Sequence, residues 1–233
     1  MEVKLEDVYN GLPFPETCPI YIPGYTEALS HVEGVRVLPD PSFYSELPLW
    51  LRTYFDPVEY PAYYIPVKLG NRHFGFIIKG QGKMSSRFST YHTFFNLDAL
   101  TSDRPYAVVV EGIKDAGMFL ERGLPALSML TSGMSAESAR IFVEFNKIPI
   151  IVQDKDAAGD KGCQAFHRHM KKHNLPFFRI RPLVHKDMGD YYDRPDLRIH
   201  VESTFSRVLS VVHSLEKHNH SFLPASRKEP VNG

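Results

Sequence analysis

Residues 148–159 read IPIIVQDKDAAG, an apolar run followed by two carboxylates one residue apart and then by a glycine. The apolar run predicts a buried strand, and the residues after the carboxylates predict the start of a helix. Asp154 and Asp156 are not core residues, because burying unpaired charges costs too much free energy. In α/β proteins such side chains lie in the crevice beyond the carboxyl ends of the strands, where ligands bind.

A second stretch of the same kind lies upstream. Residues 106–112 read YAVVVEG, again an apolar strand that ends in a carboxylate, here followed by a glycine. If the two strands are neighbours in a parallel sheet, Glu111 converges with Asp154 and Asp156. Carboxylate oxygens are hard ligands that suit Mg²⁺ or Mn²⁺. The sequence therefore predicts a divalent metal site at one edge of a sheet.

The composition restricts the class of protein. The chain has 233 residues, a formal net charge of zero and 43% hydrophobic residues, as soluble globular proteins do. Its cysteines are Cys18 and Cys163 alone, so we expect neither a zinc ribbon nor a disulfide framework, and no zinc. There is no signal-peptide pattern and no apolar stretch long enough for a membrane span. We expect a cytoplasmic protein with no membrane partner.

The remaining patterns predict an α/β fold, with a smaller α+β subdomain before a parallel sheet that is flanked by helices. Strands are predicted at 105–110, 125–130, 148–153 and 176–182, and helices at 113–122, 135–145, 157–173 and near 188–193. A hairpin over 63–78, a helix over 42–54 and an amphipathic helix over 196–218 complete the elements. We divide the chain into an N-terminal subdomain (1–103), a metal-binding domain (104–195), a C-terminal helix (196–220) and a disordered tail (221–233).

Three features outside the acidic motifs have two interpretations each. The cations Lys79, Lys83 and Arg87 belong either to a solvated loop or to an edge that contacts phosphates. Trp50 and the aromatic residues near it either pack or stack on bases. The histidines of the 157–173 helix lack the glutamate of a zinc motif, so we interpret them as a solvated face.

Residues 104–195 resemble the TOPRIM domain, the metal-binding module of DnaG-like primases, type IA and II topoisomerases, OLD-type nucleases and RecR. Among these the sequence is most similar to primases. EGIKD (111–115), DKDAAG (154–159) and KDMGD (186–190) are similar to the primase patterns Glu-Gly-x-x-Asp, Asp-x-Asp-x-Ala-Gly and Lys-Asp-Pro-x-Asp. The preceding unit also resembles primases at IPV (65–67), GF (75–76), Lys79 and RFS (87–89). Departures are Met188 for the proline, Gly189 where a carboxylate is often found, and Thr131 for a glycine.

The resemblance implies DNA-dependent synthesis of RNA primers by metal-assisted nucleotidyl transfer. It assigns catalysis to Glu111, Asp154 and Asp156. The metal ligands it implies are Glu111, Asp115, Asp154, Asp156, Asp187 and Asp190, and the groups that bind nucleic acid or NTP are Lys79, Lys83, Arg87 and Lys186. For Asp115, one helical turn after Glu111, a purely local interpretation is equally open: an acid favoured at a helix N-terminus.

The implied partners are a single-stranded DNA template, NTPs, and a replicative helicase or a separate zinc-ribbon protein. A phage origin, and hence a host cytoplasm, would suit so compact a primase. One alternative is a TOPRIM nuclease or a topoisomerase-like nicking enzyme that uses the same acids. The other is a non-catalytic DNA-binding or replisome-assembly module.

Overall fold

The computed structural model of the chain describes residues 5–45, 47–81, 85–89, 94–129, 136–153, 157–181 and 198–217. Its strands are β1 (Arg36–Leu38), β2 (Ala62–Leu69), β3 (Arg72–Lys79), β4 (Ser85–Ser89), β5 (Tyr106–Val110), β6 (Ala126–Ser128), β7 (Ile148–Val152) and β8 (Phe178–Ile180). Its helices are α1 (Leu5–Asn10), α2 (Tyr25–Leu29), α3 (Leu49–Arg52), α4 (Ile113–Leu120), α5 (Ala136–Glu144), α6 (Ala157–Lys172) and α7 (Arg198–Lys217). Two 3-10 helices cover Pro41–Tyr44 and Leu97–Thr101.

The C-terminal sheet is parallel, with the strand order β6-β5-β7-β8. The two apolar runs, YAVVV and IPIIV, form its central strands β5 and β7 and are buried along their whole length. They are neighbours, with Val109 level with Ile151, so both strands end at the same edge. The α/β fold class predicted from the sequence is confirmed, because helices alternate with these strands as parallel connections require.

The N-terminal sheet is antiparallel, with the order β1-β2-β3-β4. The predicted hairpin is present as β2 and β3, and its turn places Gly70 at φ +56°, a conformation that favours glycine. At Gly75 the edge strand β4 approaches so closely that a Cβ would lie 2.0 Å from the Phe88 carbonyl oxygen. A side chain at that position would therefore separate the two strands.

Side chains of the antiparallel sheet alternate between two faces. The inner face, which carries Val37, Tyr63, Ile65, Val67 and Ile77, packs into one core with the parallel sheet. The outer face, which carries Leu38, Ala62, Tyr64, Phe76 and Ile78, packs into a second core with Tyr44, Leu51 and Phe55. The first core thus contains residues from both sides of position 103, where the sequence predicts a domain boundary.

The helix predicted over 42–54 is wrong as a single element. The structure has the 3-10 helix Pro41–Tyr44 and then α3, Leu49–Arg52. Pro48 separates them with ψ 144°, an extended conformation. Proline has no N–H group, and its ring clashes with the preceding turn, so it begins a helix rather than continuing one. Asp40 starts the 3-10 helix by accepting a 2.8 Å hydrogen bond from the Ser42 backbone N–H.

The predicted C-terminal helix is present as α7, and most of its apolar face is buried. Phe205 is 2% exposed, and its ring centroid lies 4.7 Å from that of Phe119 on α4. Ile199 and Leu209 remain exposed. The helix predicted near 188–193 and the tail predicted from 221 onward lie outside the described residues. Within the described part of the chain, no helix combines the length and apolarity needed to cross a membrane.

Candidate active site

Glu111 follows the last residue of β5, at the carboxyl edge of the parallel sheet. Its backbone carbonyl accepts a 2.6 Å hydrogen bond from the Ser128 hydroxyl. Ser128 ends β6, is 0% exposed, and exchanges two backbone hydrogen bonds with Phe95. The backbone of Glu111 is therefore fixed by the adjacent strand, so its carboxylate is presented from a rigid element.

The residues after Glu111 form the start of α4. The Gly112 backbone N–H donates to Asp115 Oδ2 at 3.2 Å, and Asp115 is only 6% exposed. A Cβ at position 112 would lie 2.7 Å from the same oxygen, so this arrangement requires glycine. The pattern Glu-Gly-x-x-Asp thus has a local structural reason, because Asp115 satisfies an N–H group at the helix start. Its role as a metal ligand stays a prediction.

The neighbouring strand β7 ends beside Glu111. Gln153 follows it, is 1% exposed, and is the last described residue before Asp154. Asp154 and Asp156 lie outside the described residues. Within the described ranges no group of three or more His, Cys, Asp or Glu side chains is arranged to hold a metal ion. The donor set still fits a hard cation, because Glu111 supplies carboxylate oxygens at the edge from which Asp154 continues.

Lys79 is the last residue of β3 and comes from the inner face of the antiparallel sheet, since it pairs with Tyr63. It is 5% exposed, and its Nζ lies 4.8 Å from the ring centroid of Tyr25 on α2. Burial lowers the pKa of its ammonium group, the charge of Lys114 lowers that pKa further, and Glu59 opposes the shift. A buried cation on this face is not a solvated loop residue.

Lys114 was not singled out by the sequence, although it lies within the EGIKD pattern. It is the second residue of α4 and follows Glu111 by three positions in the sequence. Its charge acts on Lys79, so the two ammonium groups belong to one electrostatic environment. Two cations beside the acidic edge could bind the phosphate groups of a nucleotide. The only sequence signal for Lys114 was its place between two acidic positions.

Arg87 lies in β4 opposite Ile77, so it shares the inner face with Lys79. It is exposed, as expected for a group that contacts a ligand from solution. Trp50 instead lies over the outer side, where its ring centroid is 5.7 Å from that of Phe88. Base stacking on Trp50 would therefore take place on the face opposite Lys79 and Arg87, and we favour the packing role for this residue.

Comparison with solved structures gives consistent matches. The Escherichia coli primase catalytic core superposes with a TM-score of 0.54 at 13% identity, over 81% of this chain and 71% of that one. A DnaG primase catalytic domain bound to single-stranded DNA gives 0.56 at 13% identity, over 87% and 77%. The primase fragment of the bacteriophage T7 primase-helicase protein gives 0.54 at 12% identity, over 83% and 74%. Neither a protein-family model nor a curated protein matches the chain by sequence.

The chain has the fold of a DnaG-type primase catalytic core. The primase fold accounts for the succession of an antiparallel sheet and a parallel sheet in one chain. At 12–16% identity the match concerns the fold, and the roles of individual residues come from the site itself.

Of the predicted site residues, the structure describes Glu111, Asp115, Lys79 and Arg87. It brings Glu111 and Asp115 to one end of the primase fold's parallel sheet and places Lys79 within electrostatic reach of the same helix start. Lys83, Lys186, Asp187 and Asp190 lie outside the described residues, as do the two aspartates after β7. Their roles remain predictions.

Proposed function

We propose that the chain synthesises RNA primers on single-stranded DNA by metal-assisted nucleotidyl transfer. One observation carries the proposal: β5 and β7 are parallel neighbours, so Glu111 and Gln153, the residue before Asp154, lie at one sheet edge. The buried cation Lys79 faces the helix that starts at this edge. Acids for a metal and cations for phosphates in one place are what phosphoryl transfer requires.

In this proposal Glu111, Asp154 and Asp156 hold the divalent ion. When bound, Mg²⁺ or Mn²⁺ supplies Lewis acidity that lowers the pKa of a hydroxyl nucleophile and neutralises charge on the reacting phosphate. The chain's part is to present these carboxylates from strand ends, with the Glu111 backbone fixed by Ser128. Asp115 holds the start of α4 by accepting the Gly112 N–H through its Oδ2 atom.

The cations bind the nucleotide and the template. Lys79 and Lys114 lie beside the acidic edge and would contact the triphosphate, since their charges already interact. Arg87 on the exposed edge strand would contact the template backbone, as a guanidinium pairs well with phosphate oxygens. Binding of a polyanion would offset the repulsion between neighbouring cations, and it should weaken as salt is added.

The partners follow from the same proposal. Single-stranded DNA and NTPs are the substrates, and a replicative helicase or a zinc-ribbon protein would help to select the start site. A solved relative of the fold is described as bound to single-stranded DNA, and another is a fragment of a primase-helicase. Residues 1–233 contain two cysteines, too few for a zinc ribbon, so a zinc ribbon that served this site would lie outside these residues. We retain the cytoplasm as the proposed location.

The test is a primer-synthesis assay with single-stranded template, labelled NTPs and Mg²⁺ or Mn²⁺. Glu111→Gln, Asp154→Asn and Asp156→Asn should each lower the rate by about 100-fold or more, because lost metal charge stabilisation is worth several kcal/mol. Glu121→Gln, at an exposed carboxylate 3.5 Å from Arg122, is the matched control and should keep full activity. Cut DNA in place of RNA would indicate a nuclease, and neither product would indicate an assembly module.

A further inference from the structure

A hydrogen-bonded cluster joins the ends of β7 and β8 to the first turn of α6. Gln153 donates through Nε2 to Asp160 Oδ1 at 3.0 Å and accepts through Oε1 from Arg179 Nε at 2.5 Å. A terminal nitrogen of Arg179 also donates to Asp160 Oδ1. Each of these three residues therefore bonds the other two. We call Gln153, Asp160 and Arg179 the strand-end clamp.

The strand-end clamp joins the described residues on either side of positions 154–156, the segment predicted to bind metal. Gln153 is the last described residue before positions 154–156, and α6 begins directly after them. The hydrogen bond between Gln153 and Asp160 thus ties together the two ends of the connection that carries both predicted metal-binding aspartates. Arg179 on β8 braces the same two ends from the adjacent strand.

The orientation of Gln153 is fixed by its surroundings. Its side chain is buried, and both ends of the amide are hydrogen-bonded, one as a donor and one as an acceptor. Its backbone N–H donates to the Ile180 carbonyl at 3.3 Å. Reversing a buried amide would leave both groups facing the wrong partner, so this residue has one conformation. The residue before Asp154 is therefore held by β8 as well as by its own strand.

Arg181 forms an outer layer on the same carboxylate. One of its terminal nitrogens donates to Asp160 Oδ1 and Oδ2 at 2.8 and 2.7 Å. Its carbonyl accepts a 2.6 Å hydrogen bond from Arg207 on α7. These bonds of Arg181 go to Asp160, whereas Arg179 bonds Gln153 as well. Both arginines therefore bond Asp160, but only Arg179 also bonds Gln153 at the end of β7. Substituting each in turn compares a residue of the clamp with one outside it.

We propose that the strand-end clamp positions the metal site by holding Gln153, the residue before Asp154, against the first turn of α6. This inference rests on the proposed function only for the identity of the ligands, Asp154 and Asp156. Ligands whose chain ends are already fixed lose less conformational freedom when an ion binds. Residues that orient ligands from behind typically raise metal affinity by about 10–100-fold. Gln153, Asp160 and Arg179 are positioning residues that touch neither the ion nor the substrate.

The experiment is a titration of the full chain with Mn²⁺, with the free ion measured by electron paramagnetic resonance. Arg179→Gln should raise the Kd for Mn²⁺ about tenfold or more. Arg179→Lys keeps the charge but loses the fork, so it should give an intermediate value. Arg181→Gln should stay close to wild type. Arg140→Gln, at an exposed arginine 3.4 Å from Glu144, is the control and should leave the Kd unchanged.

Thermal unfolding of the metal-free variants separates positioning from simple stabilisation. A lower melting temperature with an unchanged Kd for Mn²⁺ would overturn the inference. If Arg179→Gln does not fold, Gln153→Met removes both amide hydrogen bonds at similar volume and decides the question in its place. A wild-type chain that binds no Mn²⁺ also overturns it. A wild-type chain that binds Mn²⁺ and loses affinity with the clamp, but makes no primers, supports the clamp and contradicts the proposed function alone.

Discussion

The two faces of the antiparallel sheet differ in how they treat polar groups. On the inner face the Tyr63 hydroxyl hydrogen-bonds to the Ile20 carbonyl at 3.1 Å and to the Thr26 hydroxyl at 3.0 Å. On the outer face the hydroxyl of Tyr64, the next residue, is buried without a hydrogen-bond partner among the described residues. Arg36 lies directly opposite Tyr64. Its Nε and Nη1 atoms are also buried without a hydrogen-bond partner among the described residues, although its guanidinium lies over the Phe14 ring.

The difference indicates that the outer face serves mainly for packing, whereas the inner face positions charged side chains. Aromatic rings hold the outer face together, with Phe76 at 5.2 Å from Phe55 and 5.3 Å from Tyr64 between centroids, and such packing tolerates an unsatisfied polar atom at a modest cost. The inner face carries Lys79 and Arg87 and must place them accurately relative to the acidic edge. Its polar groups are accordingly held by specific partners.

The largest expected effect concerns the contact through which α2 braces the inner face. At Gly117 on α4 a Cβ would lie 2.4 Å from both Cα and Cβ of Ala28 on α2. Gly117→Ala should therefore destabilise the chain by about 1–3 kcal/mol, the usual cost of overpacking, although alanine favours helix by up to about 1 kcal/mol. The measurement is the free energy of unfolding from denaturant titration.

The control for this substitution is the double variant with Ala28→Gly. Removing the Ala28 methyl group relieves one of the three contacts under 3.0 Å, so the double variant should be less destabilised than the sum of the single variants. A Gly117→Ala chain that is more stable than wild type would mean that α2 moves freely on α4. The inner face would then lack the brace that distinguishes it from the outer face.

Next in size is the contrast between the two adjacent tyrosines. Tyr63→Phe removes the hydrogen bonds to the Ile20 carbonyl and to the Thr26 hydroxyl, which keeps its bonds to Ile22, so it should cost about 1–2 kcal/mol. Tyr64→Phe removes a buried hydroxyl that has no hydrogen-bond partner among the described residues. The free energy of unfolding should therefore stay the same or rise by roughly a few tenths of a kcal/mol. Each variant serves as the control for the other in denaturant unfolding. Equal costs would abolish the proposed difference between the faces.

Lys79→Met should change stability less than Gly117→Ala or Tyr63→Phe does, because the buried ammonium group disfavours folding while nucleotide binding requires it. Lys79→Met removes a charge that burial disfavours, but it also loses the contact with Tyr25, so stability should rise by no more than about 1 kcal/mol. Nucleotide affinity should fall about tenfold. Lys68→Met is the control. Lys68 lies in β2 of the same sheet, with its Nζ 3.2 Å from Asp98 Oδ2, and its replacement should leave nucleotide affinity unchanged.

The stability gained by Lys79→Met should also depend on pH. The folded-state pKa of Lys79 is below its ordinary value, so the native state releases this proton before the unfolded state does. The cost of the buried charge is therefore fully present below the folded-state pKa and disappears as pH rises towards the unfolded-state value. The difference in unfolding free energy between wild type and variant should narrow as pH rises into the alkaline range. A constant difference would contradict the role of burial.

The sequence was sufficient for the parallel sheet but not for the contacts around its edge. Strands 105–110 and 148–153 were predictable because their apolar runs end at charged residues, and their adjacency follows from the βα alternation. The helix predicted over 42–54 is wrong because Pro48 precedes a new helix rather than continuing one. The contact of Lys79 with Tyr25 joins positions far apart in sequence that share no pattern, so it needs the folded chain.

The strand-end clamp was unpredictable for the same reason, since Gln153, Asp160 and Arg179 come from three successive elements. Gln153 and Asp160 flank the DKDAAG motif, but neither has a residue type that predicts a contact with the other or with Arg179. Only the register of β7 and β8, with Ile151 level with Arg179, brings them together. Long-range side-chain networks of this kind are set by packing rather than by local preference.

The position of β8 has a consequence for self-association. Among the described strands it is one of the two outer strands of the parallel sheet, and it is only three residues long. Outer strands expose unpaired backbone groups that recruit other chains, and proteins oppose this with short strands and charged side chains. Arg179, within the strand, and Arg181, just beyond it, supply that protection while they bond Asp160. Replacing both by apolar residues would therefore create an edge prone to self-association, and of the two only Arg179 also belongs to the strand-end clamp.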